Sequence, residues 1–330
     1  MLDAPLATVL ATPLAAVLDA VVRVVGVLAA FLVLPLVVGQ AEHKVMAHMQ
    51  GRLGPMYAGG FHGWAQLVAD GVKFVQKEDV TPAAADGRVF RLAPGVALVP
   101  YLVAMVAIPL APGVVGADLD AGLLFVLAAS AVGVLGTLMA GWSSANKYAL
   151  LGGLRTAAQL LSYELPIVLA ASSVAMAAGT LSLTGIGEAW RPWWLVWQLP
   201  ALVCFVIGGV AELARPPFDM PVADSEIVFG PYTEYTGLRF AFFLLSEYAG
   251  IVVLAALTAV LFLGAWHGPG PDGAWWMLLK TALVVLLVIW VRVAWPRLRE
   301  DQLQTLAWKV LVPLALGQLV VTGVVAVGIS

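Results

Sequence analysis

The sequence contains little charge and almost no cysteine. Charged residues make up 11% of its 330 residues, whereas soluble globular chains carry about 25%, so a soluble globular fold is excluded. The single cysteine, Cys204, excludes an internal disulfide and any iron–sulfur cluster held by cysteines of this chain. The four histidines show no HExxH motif or paired spacing, and no glycine-rich phosphate loop is present. We therefore expect this chain to hold no metal and no cofactor by itself.

Long apolar runs dominate the sequence instead. Hydrophobic residues make up 62% of the chain, the mean hydropathy is +0.95, and a helix of roughly 20 apolar residues crosses a bilayer. The runs are continuous rather than alternating, which favours helices over membrane strands. We predict an all-α polytopic membrane protein in which residues 1–330 form a single membrane domain. The eight predicted spans are 18–39, 92–111, 121–141, 157–178, 195–213, 238–263, 276–295 and 307–328.

Basic residues distinguish the two sides of the predicted membrane. The loops and helix ends that follow the first, third, fifth and seventh spans hold 14 of the 17 Lys and Arg residues. Arg23, Arg191 and Lys280 lie on the other side. The positive-inside rule then predicts a multi-pass protein of the cell (inner) membrane with both termini extracytoplasmic. The 14 residues are Lys44, Arg52, Lys73, Lys77, Arg88, Arg91, Lys147, Arg155, Arg215, Arg239, Arg292, Arg297, Arg299 and Lys309.

One segment of the first cytoplasmic loop has the pattern of an amphipathic helix. At 100° per residue, the polar side chains of residues 61–77 occupy one arc and the apolar side chains the opposite side. The segment is too short and too polar to span, so we predict a helix at the membrane surface. Two interpretations stay open, a gate for an amphiphilic ligand and a linker that only rests on the membrane.

Three acidic residues lie within or at the inner ends of predicted spans: Glu164, Glu212 and Glu247. An ionised acid at the centre of a span costs about 2.5–3.5 kcal/mol on insertion scales. Intramembrane ionisable groups are therefore hypotheses of function, and a proton relay is the function that suits carboxyl groups. The alternative is that each acid forms a hydrogen bond with another helix.

The largest cytoplasmic loop, residues 211–239, combines acids with aromatic residues, and we call it the acidic loop. Asp219, Asp224, Glu226 and Glu234 exceed the nearby bases Arg215 and Arg239, and Glu212 and Arg215 could pair across one helical turn. A solvated acidic surface is one interpretation. The other is a half-buried cavity wall or a docking surface for a soluble partner. The aromatic side chains that favour the second interpretation are Phe218, Phe229, Tyr232 and Tyr235.

Several motifs along the chain resemble one known family. They are "GWSSANKYALLGGLR" with "SYE" (residues 141–164), "RPPFDMP" (215–221), "DSEIV" (224–228), "TEYTGLRFAFF" (233–243), "KEDVTPAAAD" (77–86) and "IWVRVAWPRLREDQLQTLAWKVLVP" (289–313). Together they are similar to the quinone-site membrane subunit of proton-translocating NADH:quinone oxidoreductase, respiratory complex I, often called its H subunit or subunit 1. The resemblance covers Glu42 to Pro313 in order.

The resemblance implies an eight-span subunit at the heel of an L-shaped assembly. Quinone would be the substrate, with the iron–sulfur clusters and flavin on partner subunits. The implied partners are soluble iron–sulfur and quinone-headgroup subunits on the cytoplasmic face, together with small membrane subunits and antiporter-like subunits; no nucleic acid is involved. This chain would supply the quinone entrance and tail chamber and the first carboxyls of a proton path, without a complete catalytic site of its own.

The resemblance also implies roles for individual residues. Glu164, Glu212 and Glu247, with Tyr163 and Tyr248, would belong to the proton path, and Lys147 and Arg155 would help to hold the inner-face loop. Phe218, Tyr232 and Glu234 of the acidic loop join the predicted chamber. The chamber wall and its loops would also contain Arg52, Arg215, Asp219, Asp224, Glu226, Arg239, Arg292 and Arg299.

The sequence departs from the family pattern at several places, and two alternative functions stay open. The family's Glu-Arg-Lys reads Glu42-His43-Lys44, its Gly-Pro-Asn-Arg-Val-Gly stretch reads Gly-Pro-Met-Tyr-Ala-Gly at 54–59, and the third span lacks the glutamate of some relatives. One alternative is the homologous membrane subunit of a membrane-bound hydrogenase or formate-oxidising complex. The other is a secondary transporter, which would show inverted repeats that this sequence lacks.

Overall fold

A computed structural model describes residues 6–329, with the side chains of residues 17–326 apart from those of Asp224 and Ser225. Within these residues the chain forms helices and no β-strand, which confirms the predicted all-α class. In chain order the helices are α1 (Leu6–Met49), α2 (Gln66–Gln76), α3 (Gly87–Ala107), α4 (Gly122–Ser143), α5 (Lys147–Ala178), α6 (Leu183–Ala189), α7 (Trp194–Trp197), α8 (Leu199–Glu212), α9 (Asp224–Ile227), α10 (Gly237–Phe262), α11 (Ala274–Ala294), α12 (Glu300–Leu306) and α13 (Val312–Ile329). A π-helical turn, Ala307–Leu311, joins α12 to α13.

Seven helices of the described chain are long and apolar enough to cross a membrane. They are α1, α3, α4, α5, α10, α11 and the continuous α12–α13, and they match seven of the predicted spans. The remaining predicted span, 195–213, is divided into the four residues of α7 and the 14 residues of α8. At 1.5 Å per residue α8 is about 21 Å long, shorter than a hydrocarbon core of ~30 Å. Helix length therefore supports seven spans, and the eighth stays a prediction.

Two membrane helices extend further than their apolar runs. The helix α1 continues past the predicted end at residue 39 to Met49, and α5 begins at Lys147 rather than at residue 157. The side chain of Asn146 caps α5 by accepting a hydrogen bond from the Tyr148 backbone N–H at 2.8 Å. Polar side chains of these extensions therefore project from helices, near the ends of the bundle.

The helix α10 forms the centre of the bundle. It packs against α1, α3, α8 and α11, and residues 249–262 are buried. Beside it, α3 and α4 lie unusually close together. A Cβ atom on Gly136 of α4 would lie 2.3 Å from the backbone nitrogen of Ala97 in α3, so a larger residue would force the two helices apart.

Loop contacts define two faces of the bundle. Ser182 and Thr184 both donate hydrogen bonds to Asp118, at 3.1 and 2.7 Å, and Arg23 of α1 donates to the Val115 carbonyl at 3.1 Å. We call this side the outer face. The opposite side, the inner face, carries the connections 50–86, 144–146, 213–236 and 295–299.

The predicted amphipathic helix at 61–77 is shorter than expected. The 3₁₀ turn Phe61–Gly63 contains His62 at φ 57°, a left-handed conformation that interrupts a helix, and the α-helix itself is Gln66–Gln76. Phe74 faces the bundle, with its ring 5.7 Å from that of Phe240. The valines at 68, 72 and 75 are exposed. The helix lies within the predicted segment, and its position at a membrane surface stays a prediction.

Candidate functional site

Four charged side chains meet at the inner face. Arg215, in the loop after α8, pairs with Glu42 of α1 and with Glu247 of α10, each through an N···O distance of 2.6 Å. Arg292 of α11 pairs with the second oxygen of Glu42. We call Glu42, Arg215, Glu247 and Arg292 the buried charge network. Arg215 and Glu42 are 1% and 2% exposed, whereas Glu247 and Arg292 are 33% and 30% exposed, so the network extends from the protein interior toward the surface.

The buried charge network balances two carboxylates against two guanidiniums. Taking an ion out of water costs several kcal/mol even after relaxation, and the cost is offset only when the charge is paired with good geometry. Arg215 pairs with two carboxylates at once. Its displacement would therefore remove a cation partner from both Glu42 and Glu247 and favour the pairing of each with another cation or with a proton.

The loop that carries Arg215 is held in place by α5 and α10. The Nε2 atom of Gln159, a buried residue of α5, donates hydrogen bonds to the carbonyls of Ala211 and Phe218 at 2.6 and 2.9 Å. The ring of Tyr248 lies 5.0 Å from the Arg215 guanidinium carbon, close enough for a cation–π contact. These contacts fix the Arg215 side chain from two sides.

Two small cavities lie beside Glu212, at the C-terminal end of α8. One, of about 40 Å³, is also lined by Tyr101, Tyr232 and Glu247. The other, of about 30 Å³, is also lined by Tyr101 and Ser130. A water molecule needs roughly 10–15 Å³ of such space and two or more polar partners, so both cavities can hold water. Glu212 and Glu247, two of the predicted proton-path residues, share the first cavity.

The other predicted proton-path residues have different surroundings. Glu164 of α5 is half-buried and close enough to Glu212 to interact with it electrostatically. The hydroxyl of Tyr163 donates to the Leu303 carbonyl at 2.8 Å. Tyr163 therefore ties α5 to α12, while Tyr248 contacts the charge network directly.

A second group of ion pairs lies nearer the surface of the inner face. Arg155 of α5 pairs with Glu226 at 2.7 Å, and Arg297 pairs with Asp219 at 3.1 Å and with Glu226 at 3.5 Å. We call Arg155, Asp219, Glu226 and Arg297 the rim ion pairs. The hydrogen bond from Arg155, with help from the charge of Arg297, lowers the pKa of Glu226. The rim ion pairs thus clamp the acidic loop between α5 and the α11–α12 connection.

Beside the rim ion pairs a cleft of about 550 Å³ opens on the inner face. Its walls include Arg155, Glu226 and Arg297, together with Arg299 and Asp301, whose side chains pair at 3.0 Å. Arg299 itself is largely exposed. The cleft presents both signs of charge to the solvent, which suits recognition of a soluble protein more than an apolar ligand.

A separate cleft of about 560 Å³ lies between the end of α1 and α2. Arg52, one of the predicted chamber residues, lines it together with His43, Met46, Gln66 and Asp70. The hydrogen bonds from Gln66 Nε2 to both Asp70 oxygens, at 3.0 and 3.2 Å, fix the polar wall on α2. This cleft is distinct from the one at the rim ion pairs: of the predicted chamber residues, Arg52 lines this cleft, Glu226 and Arg299 line the other, and the remaining described ones line neither.

Two further predicted residues anchor loops. Asn146 donates to Glu234 at 2.6 Å, and Arg239 pairs with Asp79 at 3.0 Å and donates to Thr81 at 2.8 Å. Asn146 thereby ties the acidic loop to the start of α5. Arg239 ties α10 to the first inner-face connection, residues 50–86.

Aromatic rings form the wall between these anchors. Tyr232 packs 4.9 Å from the ring of Phe243. Tyr235 stacks on Phe90 at 4.0 Å, and burial raises the pKa of Tyr235 to about 12. The two tyrosines hold the acidic loop on the bundle through packing.

Not every predicted residue joins the site. Lys147 is exposed, with its ammonium 5.4 Å from the centre of the adjacent Tyr148 ring, so its contact is local. The side chain of Asp224 is not among those that the structure describes, so its place in the chamber stays a prediction. Glu212 and Arg215 do not share a helical turn, because α8 ends at Glu212 and Arg215 turns toward Glu42 instead.

Sequence reasoning assigns no role to Glu42 and Arg297, which the structure places among the ion pairs. Glu42 lies three positions beyond the predicted end of the first span and therefore falls in the predicted loop. Because α1 continues to Met49, Glu42 stays on the helix and faces Arg215. An acidic residue within one helical turn after an apolar run is a sequence signal that could have identified Glu42.

Metal binding finds no support in the described part of the chain. No group of three or more His, Cys, Asp or Glu side chains comes together there as a metal site requires.

Comparison with known proteins gives a consistent family. The family model described as NADH dehydrogenase matches residues 22–323. The H subunit of NADH-quinone oxidoreductase from Geobacillus kaustophilus (strain HTA426) is 46% identical over 290 residues, which cover 86% of this chain and 87% of that protein. The proteins of the same name from Anoxybacillus flavithermus (strain DSM 21510 / WK1) and Bacillus cereus (strain B4264) are 47% and 46% identical over 291 residues, with the same coverage. These matches confirm the resemblance found in the motifs, and the chain belongs to the NADH dehydrogenase family as a relative of the H subunits of NADH-quinone oxidoreductase.

Proposed function

We propose that this chain is a membrane subunit of a proton-translocating NADH-quinone oxidoreductase, in which it forms the quinone entrance and starts a proton-coupling path. The observation that carries the proposal is the buried charge network, Glu42–Arg215–Glu247–Arg292, at the inner face. Ionisable groups are expensive within a membrane bundle and mark functional sites by default. The relatives' name supplies the reaction, and no complete catalytic site is needed in this chain.

The cleft between α1 and α2 suits the entrance. Its volume of about 560 Å³ lies in the range of roughly 300–1,000 Å³ typical of small-molecule sites. Met46 and Leu53 provide apolar walls and Arg52 and Gln66 polar ones, a combination that suits an amphiphilic quinone. The exposed valines of α2 would rest in the lipid interface, so a quinone could leave the bilayer directly into the cleft.

The buried charge network links quinone reduction to protons. Reduction of a quinone nearby creates transient negative charge, which competes with Glu42 and Glu247 for the guanidiniums of Arg215 and Arg292. A carboxylate released from its guanidinium can accept a proton that arrives from the inner-face solvent through water in the adjoining cavity. Glu247 and Glu212 line that cavity together, so a proton can pass from one to the other over a short distance.

The eighth span is part of this proposal. Ser182 contacts Asp118 at the outer face, and Arg215 contacts Glu42 at the inner face. The chain between them would pass from one face to the other through α7 and α8, which follow the outer-face helix α6. The broken helix packs against α5, α10 and α13, where its loose ends are shielded from lipid.

Soluble partners would dock on the inner face. The cleft at the rim ion pairs carries charges of both signs, and complementary charges guide protein association. We assign this surface to the subunits that carry the quinone headgroup site and the iron–sulfur clusters, with flavin on a more distant subunit. Small membrane subunits and antiporter-like subunits would contact the sides of the bundle.

Exchange of single carboxylates in the assembled complex tests the proposal. Glu212→Gln and Glu226→Gln should each lower quinone-reductase turnover severalfold, measured as NADH oxidation with proton uptake in sealed vesicles. Glu212→Gln removes a protonatable group beside the shared cavity, and Glu226→Gln weakens the rim ion pairs. Glu188→Gln, at an exposed acid of the outer-face helix α6, is the matched control and should leave both rates unchanged. Normal turnover and pumping in both inner-face variants would refute the assignment of Glu212 to the proton path and of Glu226 to the chamber.

A further inference from the structure

A groove of about 410 Å³ lies on the outer half of the bundle, away from the site described above. Its lining is mostly apolar and comes from α1, the end of α3, the loop 108–116 and α10, and it includes Gly26, Leu34, Met105 and Ala256. Only its outer end is charged, where Asp19 and Arg23 stand. The groove therefore has the polarity of an amphiphile, with a charged end and an apolar channel.

The charged end of the groove is fixed in position. Arg23 Nε binds Asp19 Oδ2 at 2.7 Å, and Arg23 Nη1 donates to the Val115 carbonyl at 3.1 Å. The two side chains remain 41% and 60% exposed, Arg23 and Asp19 respectively. The guanidinium thus has a further edge for an anion and the carboxylate has room for a cation, without breaking their own contact.

The length of the groove matches one leaflet of a bilayer. Arg23 and Glu42 are 19 positions apart on α1, about 28 Å at 1.5 Å per residue, which equals the hydrocarbon thickness of ~30 Å. Arg23 therefore lies at the outer boundary of the membrane. Leu34, the innermost α1 residue of the groove, is about 16 Å below it, near the midplane.

We propose that this groove binds one outer-leaflet phospholipid with a zwitterionic amine headgroup, of the phosphatidylethanolamine type. The phosphate would bind Arg23, whose guanidinium fork fits phosphate oxygens, and the ammonium would bind Asp19. One acyl chain would occupy the channel past Gly26 as far as Leu34. A transmembrane helix of another subunit would need a groove through both leaflets, and an uncharged quinone would leave the charged end unused.

Gly26 allows the groove to be filled without disturbing the fold. A Cβ atom at Gly26 would meet no other heavy atom within 4 Å, so a larger side chain can point into the channel. Gly26→Phe should therefore exclude the acyl chain. Val25→Phe is the matched control, because Val25 is an exposed neighbour on the same helix that does not line the groove.

The test uses the assembled complex in vesicles of phosphatidylcholine that contain phosphatidylethanolamine with a diazirine in its acyl chain. After irradiation, peptide mapping should place label on α1 between Gly26 and Leu34 and on α3 near Met105, in the unmodified protein and in Val25→Phe. Gly26→Phe should reduce this label about tenfold, a loss of ~1.4 kcal/mol that the burial of roughly two methylenes explains. Arg23→Gln and Asp19→Asn should each reduce it as well.

Three results would overturn the proposal. Equal labelling of Gly26→Phe and the unmodified protein would show that the channel is not the lipid site. Equal labelling by a phosphatidylglycerol probe and the phosphatidylethanolamine probe would show that Asp19 does not recognise the ammonium group. Cross-links from this groove to a helix of another subunit would show that protein fills it. If Gly26→Phe fails to assemble, Gly26→Leu provides the same comparison with a smaller side chain.

Discussion

Arg215 illustrates how far single residues can be understood from sequence. Charge in an apolar chain is enough to single out Glu247, because buried ionisable groups are costly, whereas Arg215 and Arg292 are identified through the family resemblance. Their pairing cannot be predicted from the sequence, because the partners come from distant parts of the chain: Glu42 lies 173 positions from Arg215 and 250 from Arg292. Local patterns carry no information about such contacts, so the sequence identifies three members of the network but neither Glu42 nor the geometry.

The buried charge network predicts a specific stability pattern. Arg215→Leu leaves Glu42 and Glu247 without their shared cation in a buried position, which should cost about 3–5 kcal/mol. Thermal unfolding of the purified complex should therefore occur at a clearly lower temperature.

A compensated variant separates lost charge pairing from lost packing. Adding Glu42→Gln and Glu247→Gln to Arg215→Leu neutralises both carboxylates and leaves only Arg292, which is 30% exposed, so most of the stability should be recovered, although coupling to quinone reduction should stay impaired. If the triple variant is less stable than Arg215→Leu alone, the carboxylates do not depend on Arg215 in the way proposed.

At the scale of elements, apolar runs predict helix positions well where the helix and the apolar run end together. The predicted span 238–263 corresponds to Gly237–Phe262, and 276–295 corresponds to Ala274–Ala294. Helices whose ends are polar are underestimated, as for α1 and α5, because hydrogen bonding continues a helix beyond the membrane boundary that hydropathy detects. The divided α7–α8 segment shows the opposite error, since the predicted span continues across Gln198 and Pro200, where the helix is divided.

The contact between α5 and the acidic loop depends on a glycine. A Cβ atom at Gly152 would lie 2.6 Å from Pro231 Cδ and 2.8 Å from both Gly230 Cα and the Pro221 carbonyl oxygen. Gly152→Ala should push the loop from α5 at a cost of about 1–3 kcal/mol. Hydrogen exchange across residues 216–236 should then accelerate, and quinone-reductase activity should fall.

Gly95 supplies the matched control for this substitution. It also lies within a membrane helix, α3, but a Cβ atom there would meet nothing within 4 Å. Gly95→Ala should leave loop exchange and activity unchanged. Equal effects of the two substitutions would mean that the result reflects helix propensity rather than the position of the loop.

At the scale of the whole molecule, exposed tryptophans agree with the membrane thickness inferred from α1. Trp275 and Trp295, at the two ends of α11, are 50% and 56% exposed. Their separation of 20 positions corresponds to about 30 Å of helix, and tryptophan favours the two membrane–water interfaces. Charge, helix length and tryptophan position thus agree on where the boundaries lie, and the sequence alone already contains all three signals.

The same boundaries predict the orientation of the chain. If the chain crosses the membrane eight times and the side with 14 of the 17 basic residues is cytoplasmic, as we predict, a reporter fused after Ser330 should be extracytoplasmic, as should one inserted between Gly268 and Asp272. A reporter inserted between Val80 and Ala84 should be cytoplasmic and serves as the control. If the first two reporters are both cytoplasmic while the control is unchanged, the segment between Ser182 and Arg215 does not cross the membrane and the count is seven. If only the Ser330 reporter is cytoplasmic, the error lies after α11, and the crossing by α7–α8 stands.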